Sequence, residues 1–351
     1  MRDHVRARSS VGKAAVTISI AVLALGALAA CGDSSDDPGS GDQTLVLYSA
    51  QHEPMTNGLV DAFEKETGAT VDIRFGEDEG LANQIVEEGS ASPADVFLAE
   101  NAPPLILLSD KGLLAPVDQS TLDSVPKQYS SEKGDWVGVA ARETALIYNP
   151  SLISESELPK SVLDLADPQW KDKLSIAPSE PDFVPLVGAI VALDGATTAE
   201  QWLTGFGENA KRYNDNEGIV AAVEDGQVAA GVINHYYWFS ETAELGADQI
   251  NSKLHYFGHQ DPGALVDVSG AGALASSDNQ DLAQQFLAFI TSKTGQDAMV
   301  AAGDWEYPLN PDATLPTGLK PFDQLDPPQV TPSELGDGQQ AVQLIQQAGL
   351  L

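Results

Sequence analysis

The sequence predicts an α/β protein built as two doubly wound lobes, and three observations support this. The chain has 351 residues, more than one ordinary hydrophobic core accommodates. Short apolar runs alternate with amphipathic segments in strand–helix–strand order between residues 45 and 98, an order typical of a parallel, doubly wound sheet. The longest strand-like passage, residues 136–149, is long enough to run across two lobes.

Residues 1–30 are predicted to be a lipoprotein signal peptide. Four basic residues precede an apolar run from residue 14 to residue 30, the order found in secretory signals. Cys31, the only cysteine, follows Ala29 and Ala30 directly and resembles the lipidated residue of a bacterial lipobox. We therefore expect Cys31 to carry the lipid and residues 31–43, which are small, polar and acidic, to form a flexible tether. A signal anchor with an incidental cysteine is the alternative.

The charge of the chain excludes several classes of partner. Without residues 1–30, the chain has 14 basic and 51 acidic residues, a net charge of −37. Such a balance disfavours nucleic acid and anionic membrane surfaces as partners and agrees with a cationic ligand. A single cysteine allows neither a disulfide within the chain nor a thiolate metal site. No apolar run after the signal is long enough to span a bilayer.

The predicted elements follow one another in a regular order. Glycines mark the ends of the first two helices, at Gly68 and Gly89, as helix C-caps commonly do. Pro185 is compatible with a helix only within its first turn. The strands are predicted at residues 45–48, 70–75, 94–98, 136–149, 175–177 and 228–233, after which the chain returns through residues 254–257 and 264–272. The helices are predicted at residues 59–68, 81–89, 105–112, 183–193, 202–210, 238–245, 280–292, 294–302 and within 335–350, with a polar turn at 213–218.

Polar side chains follow three of the predicted strands. His52 follows the first strand, Glu100 follows the third, and the stretch 234–237, Asn-His-Tyr-Tyr, follows the strand at 228–233. Ligands of open α/β sheets bind beyond the carboxyl ends of strands. Two phenols, an amide and an imidazole at such an end make a candidate site for a hard cation. The alternatives are a pair of core aromatics and a structural histidine, but the recurrence at three strand ends favours one shared site.

Several passages resemble the bacterial periplasmic ferric-iron-binding proteins, the iron(III) receptors of ABC transporters. The resemblance extends from about residue 44 to residue 351. The matching passages are Tyr48-Ser-Ala-Gln-His52, Ala62-Phe-Glu-Lys-Glu-Thr-Gly68, Pro93-Ala-Asp-Val-Phe97 with Glu100, Gly112-Leu-Leu-Ala-Pro116, Ile233-Asn-His-Tyr-Tyr-Trp238, His259-Gln-Asp-Pro-Gly-Ala-Leu265, Ser269-Gly-Ala271 and Glu306-Tyr-Pro-Leu309.

The resemblance implies a fold and a role. The fold is that of a type II periplasmic binding protein, with two lobes joined by crossing hinge strands and the ligand in the cleft between them. The first lobe would comprise residues 44–141 and 267–317, and the second residues 142–266 and 318–351. The role would be that of a monomeric, lipid-anchored receptor, not an enzyme, on the outer face of the cytoplasmic membrane, which gives iron to an ABC-type permease.

The resemblance also implies the roles of individual residues. The iron ligands would be His52, Glu100, Tyr236 and Tyr237. Asn216 and Asn234 match asparagines that help to hold a small anion on the iron. Arg142 matches an arginine of the hinge region that some relatives use for the same anion.

One stretch departs from the family pattern. Relatives that use phosphate have a short Ser-Gly loop at a helix start where this chain has Glu180-Pro181-Asp182. Carboxylates are acceptors and repel an anion, and proline lacks an N–H donor. We therefore expect carbonate rather than phosphate as the partner anion, set against Arg142, or a carboxylate that itself reaches the iron. Alternatively, both acids point to solvent on the rim of the cleft.

The ligand set suits ferric iron, a hard cation. Two tyrosinates and one glutamate supply three negative charges, His52 adds a neutral donor, and a bound cation promotes the loss of the phenolic protons. Two alternatives stay open. The same fold binds other ligands in other receptors, among them organophosphonates, thiamine and oxyanions. A membrane-anchored hydrolase is a remote alternative, because the sequence contains neither a Gly-x-Ser-x-Gly nor a His-Glu-x-x-His motif.

Overall fold

The computed structural model describes residues 44–351. The predicted signal peptide (1–30), the tether (31–43) and the lipidation site at Cys31 lie outside the described residues. Within residues 44–351, no helix has both the length and the apolar character needed to cross a membrane.

The described residues form ten strands and twelve α-helices. The strands are β1 (Thr44–Ser49), β2 (Thr70–Phe75), β3 (Val96–Ala99), β4 (Val137–Tyr148), β5 (Leu174–Ile176), β6 (Ala210–Arg212), β7 (Ala230–Asn234), β8 (Lys253–His255), β9 (Val266–Ala273) and β10 (Tyr307–Pro308). The helices are α1 (Glu53–Thr67), α2 (Asp78–Glu88), α3 (Ala102–Asp110), α4 (Gln119–Leu122), α5 (Phe183–Asp194), α6 (Ala196–Asn209), α7 (Asn216–Glu224), α8 (His235–Leu245), α9 (Gln280–Ile290), α10 (Lys293–Ala301), α11 (Pro332–Leu335) and α12 (Gln339–Gln347).

The strands pair in the order β2-β1-β3-β9-β4-β7-β5-β6, with β8 and β10 also on β4. The prediction of a parallel sheet is right for β1, β2 and β3 and for β5, β6 and β7. It does not extend to the middle of the order, where β9 is antiparallel to β3 and β4 is antiparallel to both β9 and β7. The sheet is therefore mixed, because the two strands that connect its parallel parts run against their neighbours.

The long strand β4 joins the two parts of the molecule. Its first half pairs with β9 and β10, and its second half, from Thr144 to Tyr148, pairs with β7 and β8. All twelve of its residues are buried. The prediction of one strand that crosses between two lobes is thus confirmed for β4.

Each part has a hydrophobic core of its own. The core of the first lobe gathers side chains from β1, β3, α1, α9 and the first half of β4, with Phe63, Phe97 and Phe286 among the largest. The core of the second lobe gathers side chains from α5, α6, β5 and α12 around Trp202 and Phe206. We refer to these parts as the first and second lobes.

Local sequence rules account for several boundaries. Helix α1 ends at Gly68, which has φ of 76° in the left-handed region that glycine adopts without strain. Pro185 is the third residue of α5 and needs no hydrogen bond from a preceding turn. Several helices begin earlier than predicted, among them α1 at Glu53, α6 at Ala196 and α8 at His235, and a helix that was not predicted, α7, begins at Asn216 within the predicted polar turn.

Candidate metal centre

Four loop-to-helix junctions bring polar side chains to one place. His52 caps the start of α1 directly after β1, and Glu100 follows β3. Tyr236 and Tyr237 are the second and third residues of α8, directly after β7, and Asp182 stands at the N-cap of α5. Because α8 begins at the end of its strand, both phenols lie in the first helical turn, and the hydroxyl groups of both contact Asp182.

The donor atoms of both lobes are in direct contact. The hydroxyl oxygen of Tyr236 lies 3.3 Å from Oε1 of Glu100 and 3.0 Å from Oδ2 of Asp182. The hydroxyl oxygen of Tyr237 lies 3.2 Å from the same Asp182 oxygen, and Nε2 of His52 lies 3.5 Å from Oε1 of Glu100. His52 and Glu100 belong to the first lobe and the other three residues to the second, so the cleft between the lobes is closed.

These separations suit a small hard cation. Adjacent ligands of an octahedral ion with bonds of about 2.1 Å lie about 2.9 Å apart. The three contacts that join Glu100, Tyr236, Asp182 and Tyr237 in a row measure 3.0–3.3 Å, close to that separation. The two tyrosine rings lie 4.2 Å apart, and the ring of His52 meets that of Tyr236 edge-on at 5.1 Å.

Burial and neighbouring acids shape the protonation of the site. Burial, together with the charge of Asp182, raises the pKa of Tyr236 and of Tyr237 well above the usual phenol value. Burial and the nearby Glu100 raise the pKa of Asp182 to about 6, against the opposite effects of Arg142 and His52. Without a cation, the phenols are therefore neutral hydrogen-bond donors. A bound cation would reverse this, because it stabilises the deprotonated oxygens.

His52 and Glu100 form an ion pair on the first lobe. Burial lowers the pKa of His52, but the nearby carboxylates of Asp304 and Glu100 outweigh it, and the pKa lies well above the usual value. Burial raises the pKa of Glu100, yet the contacts with His52 and Arg142 outweigh it and the pKa is lowered. Oδ2 of Asp304 lies 3.9 Å from Nδ1 of His52. An acceptor on Nδ1 leaves Nε2 for a metal, the usual arrangement of a ligating histidine.

Arg142 is fully buried beside the donors and holds the first lobe together. Its guanidinium donates to the carbonyl oxygen of Glu100, to Oδ1 of Asn101 at 3.1 Å and to Oε1 of Glu306 at 2.8 Å. Its carbon Cζ lies 5.9 Å from the centre of the Tyr236 ring. Arg142 thus contributes positive charge behind the site, while its terminal nitrogens are engaged by protein oxygens.

The two asparagines lie behind Asp182, and Glu180 lies at the opening. Nδ2 of Asn216 donates to Oδ2 of Asp182 at 3.3 Å. Asn234 lines, with Asp182 and Asn216, a cavity of about 10 Å³, which is close to the least volume that holds one water. The half-buried Glu180 lines an opening of about 480 Å³ beside the site, and burial together with Asp182 raises its pKa to about 8.

The imidazole of His235, expected among the cation donors, faces away from them. Its Nδ1 accepts from the N–H of Glu143 at 3.1 Å and its Nε2 lies 2.9 Å from the carbonyl oxygen of Trp305. Both nitrogens are therefore used, and burial lowers the pKa of His235 to about 4. Sequence reasoning missed Asp304 and Glu306. The only signal was a pair of acids before a Tyr-Pro sequence, within a passage that carried the family resemblance.

The fold and this arrangement of donors define a class of protein. A family model described as bacterial extracellular solute-binding protein matches residues 58–323. The chain belongs to this family. Its predicted architecture, two α/β lobes of the periplasmic-binding-protein type with a cleft between them, is confirmed.

Relatives within this class are named for ferric iron. The Fe(3+)-binding periplasmic protein of Serratia marcescens is 44% identical over 343 residues, 98% of this chain and 98% of that protein. The major ferric iron-binding protein of Neisseria meningitidis serogroup B is 40% identical over 311 residues, 87% of this chain and 93% of that protein. The crystal structure of iron-bound HitA from Pseudomonas aeruginosa is 44% identical with a TM-score of 0.84 and covers 88% of this chain and 100% of its own.

Proposed function

We propose that this protein captures ferric iron between its lobes and delivers it to an ABC-type permease for iron uptake. The observation that carries the proposal is the convergence of His52 and Glu100 from one lobe with Tyr236, Tyr237 and Asp182 from the other, at donor separations of 3.0–3.5 Å. The relatives named for ferric iron support it. A closed cleft is a shape that a permease can distinguish from an empty receptor.

The chemistry of these donors favours Fe³⁺ over other common ions. When the phenols and carboxyls are deprotonated, four anionic oxygens and one imidazole surround the ion. Zn²⁺ prefers four ligands, often with sulfur, and Ca²⁺ accepts carbonyl and carboxylate oxygens at longer distances. A small trivalent ion gains most from two phenolates. The role is therefore capture and release of an ion, with no catalytic step.

The test of the iron assignment is a visible absorption band from phenolate-to-iron charge transfer. Apo protein titrated with an exchangeable ferric chelate should develop the band with one iron per chain. Tyr129→Phe, a matched control that removes a phenol outside the site, should leave the band unchanged, whereas Tyr236→Phe and Tyr237→Phe should each alter it strongly. A protein that shows no visible band while it binds calcium or zinc well is not a ferric receptor.

We further propose that the carboxylate of Asp182 takes the place of an exogenous anion on the iron. It lies within 3.2 Å of both phenol oxygens, and the cavity of about 10 Å³ behind it is too small for carbonate or phosphate. Its Oδ1 is buried and makes no hydrogen bond to any residue in the range 44–351, so this oxygen is available to a ligand or a water. Of the two acids predicted here, Asp182 is the ligand and Glu180 is at the rim.

This proposal is tested by loading iron in buffer free of phosphate and carbonate. The wild-type protein and Glu180→Ser should hold iron equally well with and without added anion. Asp182→Ala should hold it weakly, and added phosphate or carbonate should restore part of the affinity by filling the vacated position. A gain in iron affinity of the wild type with either anion, as large as that of Asp182→Ala, would contradict the assignment.

The boundaries of the lobes and the site of anchoring belong to the same proposal. We place the first lobe at residues 44–141 and 267–317 and the second at 142–266 and 318–351. The two separate cores support this division, although Val266 and Leu319 pack in the core of the first lobe. The receptor would act as a monomer, held at the outer face of the cytoplasmic membrane by lipid on Cys31. Cys31→Ser should release it from membranes, and membrane-bound Cys31→Ser protein would show that the signal segment is retained as the anchor.

A further inference from the structure

Three consecutive residues of the first lobe, Asp304, Trp305 and Glu306, touch both halves of the proposed metal centre. They lie directly before β10, which pairs with β4 through Tyr307 and Pro308. The central residue contacts α8 of the second lobe, and the two flanking acids contact the surroundings of His52. The segment 304–306 therefore lies between the histidine ligand and the helix of the tyrosine ligands.

The first contact is a hydrogen bond from the helix that carries the tyrosines. His235, the first residue of α8, is fully buried. Because its Nδ1 accepts from the backbone N–H of Glu143 at 3.1 Å, that nitrogen carries no proton. The proton is on Nε2, which donates to the carbonyl oxygen of Trp305 at 2.9 Å. One neutral ring thus joins β4, α8 and the segment 304–306.

The second contact is aromatic and comes from the same face of the helix. Phe239 is four residues after His235, so both side chains lie on one side of α8. Its ring stacks on that of Trp305 with centroids 5.5 Å apart and an interplanar angle of 21°. His235 itself packs against the ring of Tyr307 at 4.8 Å. These contacts leave the first turn of α8 little freedom relative to the segment 304–306.

The residues on either side of Trp305 hold the histidine ligand. Oδ2 of Asp304 lies 3.9 Å from Nδ1 of His52. Oε1 of Glu306 accepts from Gln51 at 3.1 Å and from Arg142 at 2.8 Å, and Oε1 of Gln51 accepts the N–H of His52 at 2.7 Å. A displacement of Trp305 therefore displaces the carboxylate near the imidazole of His52 and the side chains that hold its backbone N–H.

We propose that His235 is a positioning residue for iron binding, which acts through Trp305 to fix the tyrosine pair relative to His52. The inference rests on the proposed ferric function. Metal ligands must be held to within about half an ångström of their productive places. Here the ligands come from two lobes. The hydrogen bond of His235 directly links α8, which carries Tyr236 and Tyr237, to the segment 304–306, which lies beside His52.

The experiment compares His235→Gln and His235→Leu with the wild type in the full chain. Glutamine keeps a donor near the place of Nε2, whereas leucine removes both nitrogens. We expect iron retention against a competing chelator to fall roughly threefold to tenfold in the leucine variant and less in the glutamine variant. The charge-transfer band should shift in the same order, because the phenolates move relative to the iron.

The matched control is His255→Gln. Nε2 of His255 also lies 2.9 Å from a backbone carbonyl oxygen, that of Pro159, and both residues belong to the second lobe. This variant should leave the band and iron retention at wild-type values. Phe239→Leu, which keeps the hydrogen bond of His235 but removes the stacking on Trp305, provides a second approach if His235→Leu does not fold, and should lower iron retention and shift the band as His235→Gln does.

Two outcomes separate the inference from the function on which it rests. If the wild type shows no ferric band, the proposed function fails. If the wild type shows the band but His235→Leu and Phe239→Leu keep its position and the wild-type iron retention, while only the melting temperature of the apo protein falls, His235 is a core residue alone. The positioning role is then wrong, although the protein remains a ferric receptor.

Discussion

The tyrosines of this site are kept protonated by the same neighbours that would bind the ion with them. Asp182 accepts from both phenols at 3.0 and 3.2 Å, and burial raises the pKa of each phenol. In the absence of a cation, the acids and phenols stabilise one another through hydrogen bonds rather than repel one another as charges. The two phenols therefore lose their protons only when a strongly charged ion takes the place of those protons.

At the residue scale, the ligands should differ in importance according to their charge. Loss of a residue that only orients a metal ligand typically costs about 10–100-fold in affinity, so Tyr236→Phe or Tyr237→Phe should exceed about a hundredfold. His52→Ala removes a neutral donor that water can replace and should cost less. Chelator competition at fixed pH measures the order, with Tyr129→Phe as control. Equal and complete loss of iron in His52→Ala and Tyr236→Phe would refute the argument from charge.

At the scale of elements, the sequence located those of the proposed ligands that follow predicted strands. Strand ends and helix starts are local features, so His52, Glu100 and the tyrosine pair could be found from apolar runs alone. The antiparallel direction of β9 could not, because it depends on how the chain returns from the second lobe. Asp304 and Glu306 were missed for a similar reason: they precede the two-residue strand β10, whose place is set by its pairing with Ala140 and Ala141 of β4.

The hinge strand β4 also carries a buried carboxyl group whose effect on the free energy of unfolding should depend on pH. Glu143 is 2% exposed, and its Oε2 has no hydrogen-bond partner within the described residues. Burial raises its pKa to about 7, so between about pH 4.5 and 7 the folded state holds a proton that the unfolded state has lost. The stability that the bound proton contributes is therefore fully present below about pH 4.5 and is lost as the pH rises to about 7.

Glu143→Gln should remove this pH dependence. The apo variant should be nearly as stable as the wild type at pH 5 and become more stable relative to it by pH 8, by up to about 3 kcal/mol. Urea unfolding at several pH values measures the difference. Glu200→Gln, which makes the same change of charge on the exposed surface of α6, controls for net charge. A constant difference between Glu143→Gln and the wild type across this range would show that Glu143 is not held protonated by burial.

At the scale of the whole molecule, iron binding and lobe closure are one equilibrium. The first lobe contributes His52 and Glu100, and the second contributes the tyrosines and Asp182, so a single ion makes all its contacts only when the cleft is closed. An ion that prefers one state by these contacts shifts the population toward it. The segment 304–306 and β4 connect the lobes beside the site, which lets closure bring both ligand sets to the same place.

Because iron displaces protons from its ligands when it binds, the affinity for iron should fall as the pH falls. In the apo protein at pH 7.5, both tyrosines are neutral and His52 is protonated, since the pKa of each is raised, whereas Asp182, with a pKa of about 6, is mostly ionised. Binding should therefore release about three protons per iron, and about four near pH 5.5, where Asp182 is also protonated. The logarithm of the affinity should rise with pH by about three per unit between pH 7 and 8.

The number of protons released can be measured directly by titrating iron into weakly buffered apo protein. Chelator competition at several pH values, corrected for the protons of the chelator, gives the pH dependence of the affinity. Tyr237→Phe and His52→Ala should each lower the count by one near neutrality, because each removes one titrating ligand. Asp182→Asn should leave the count at pH 7.5 nearly unchanged and lower it near pH 5.5. If the wild type releases one proton or none at pH 7.5, the phenols do not bind the iron as phenolates, and the ligand set proposed for the closed cleft is wrong.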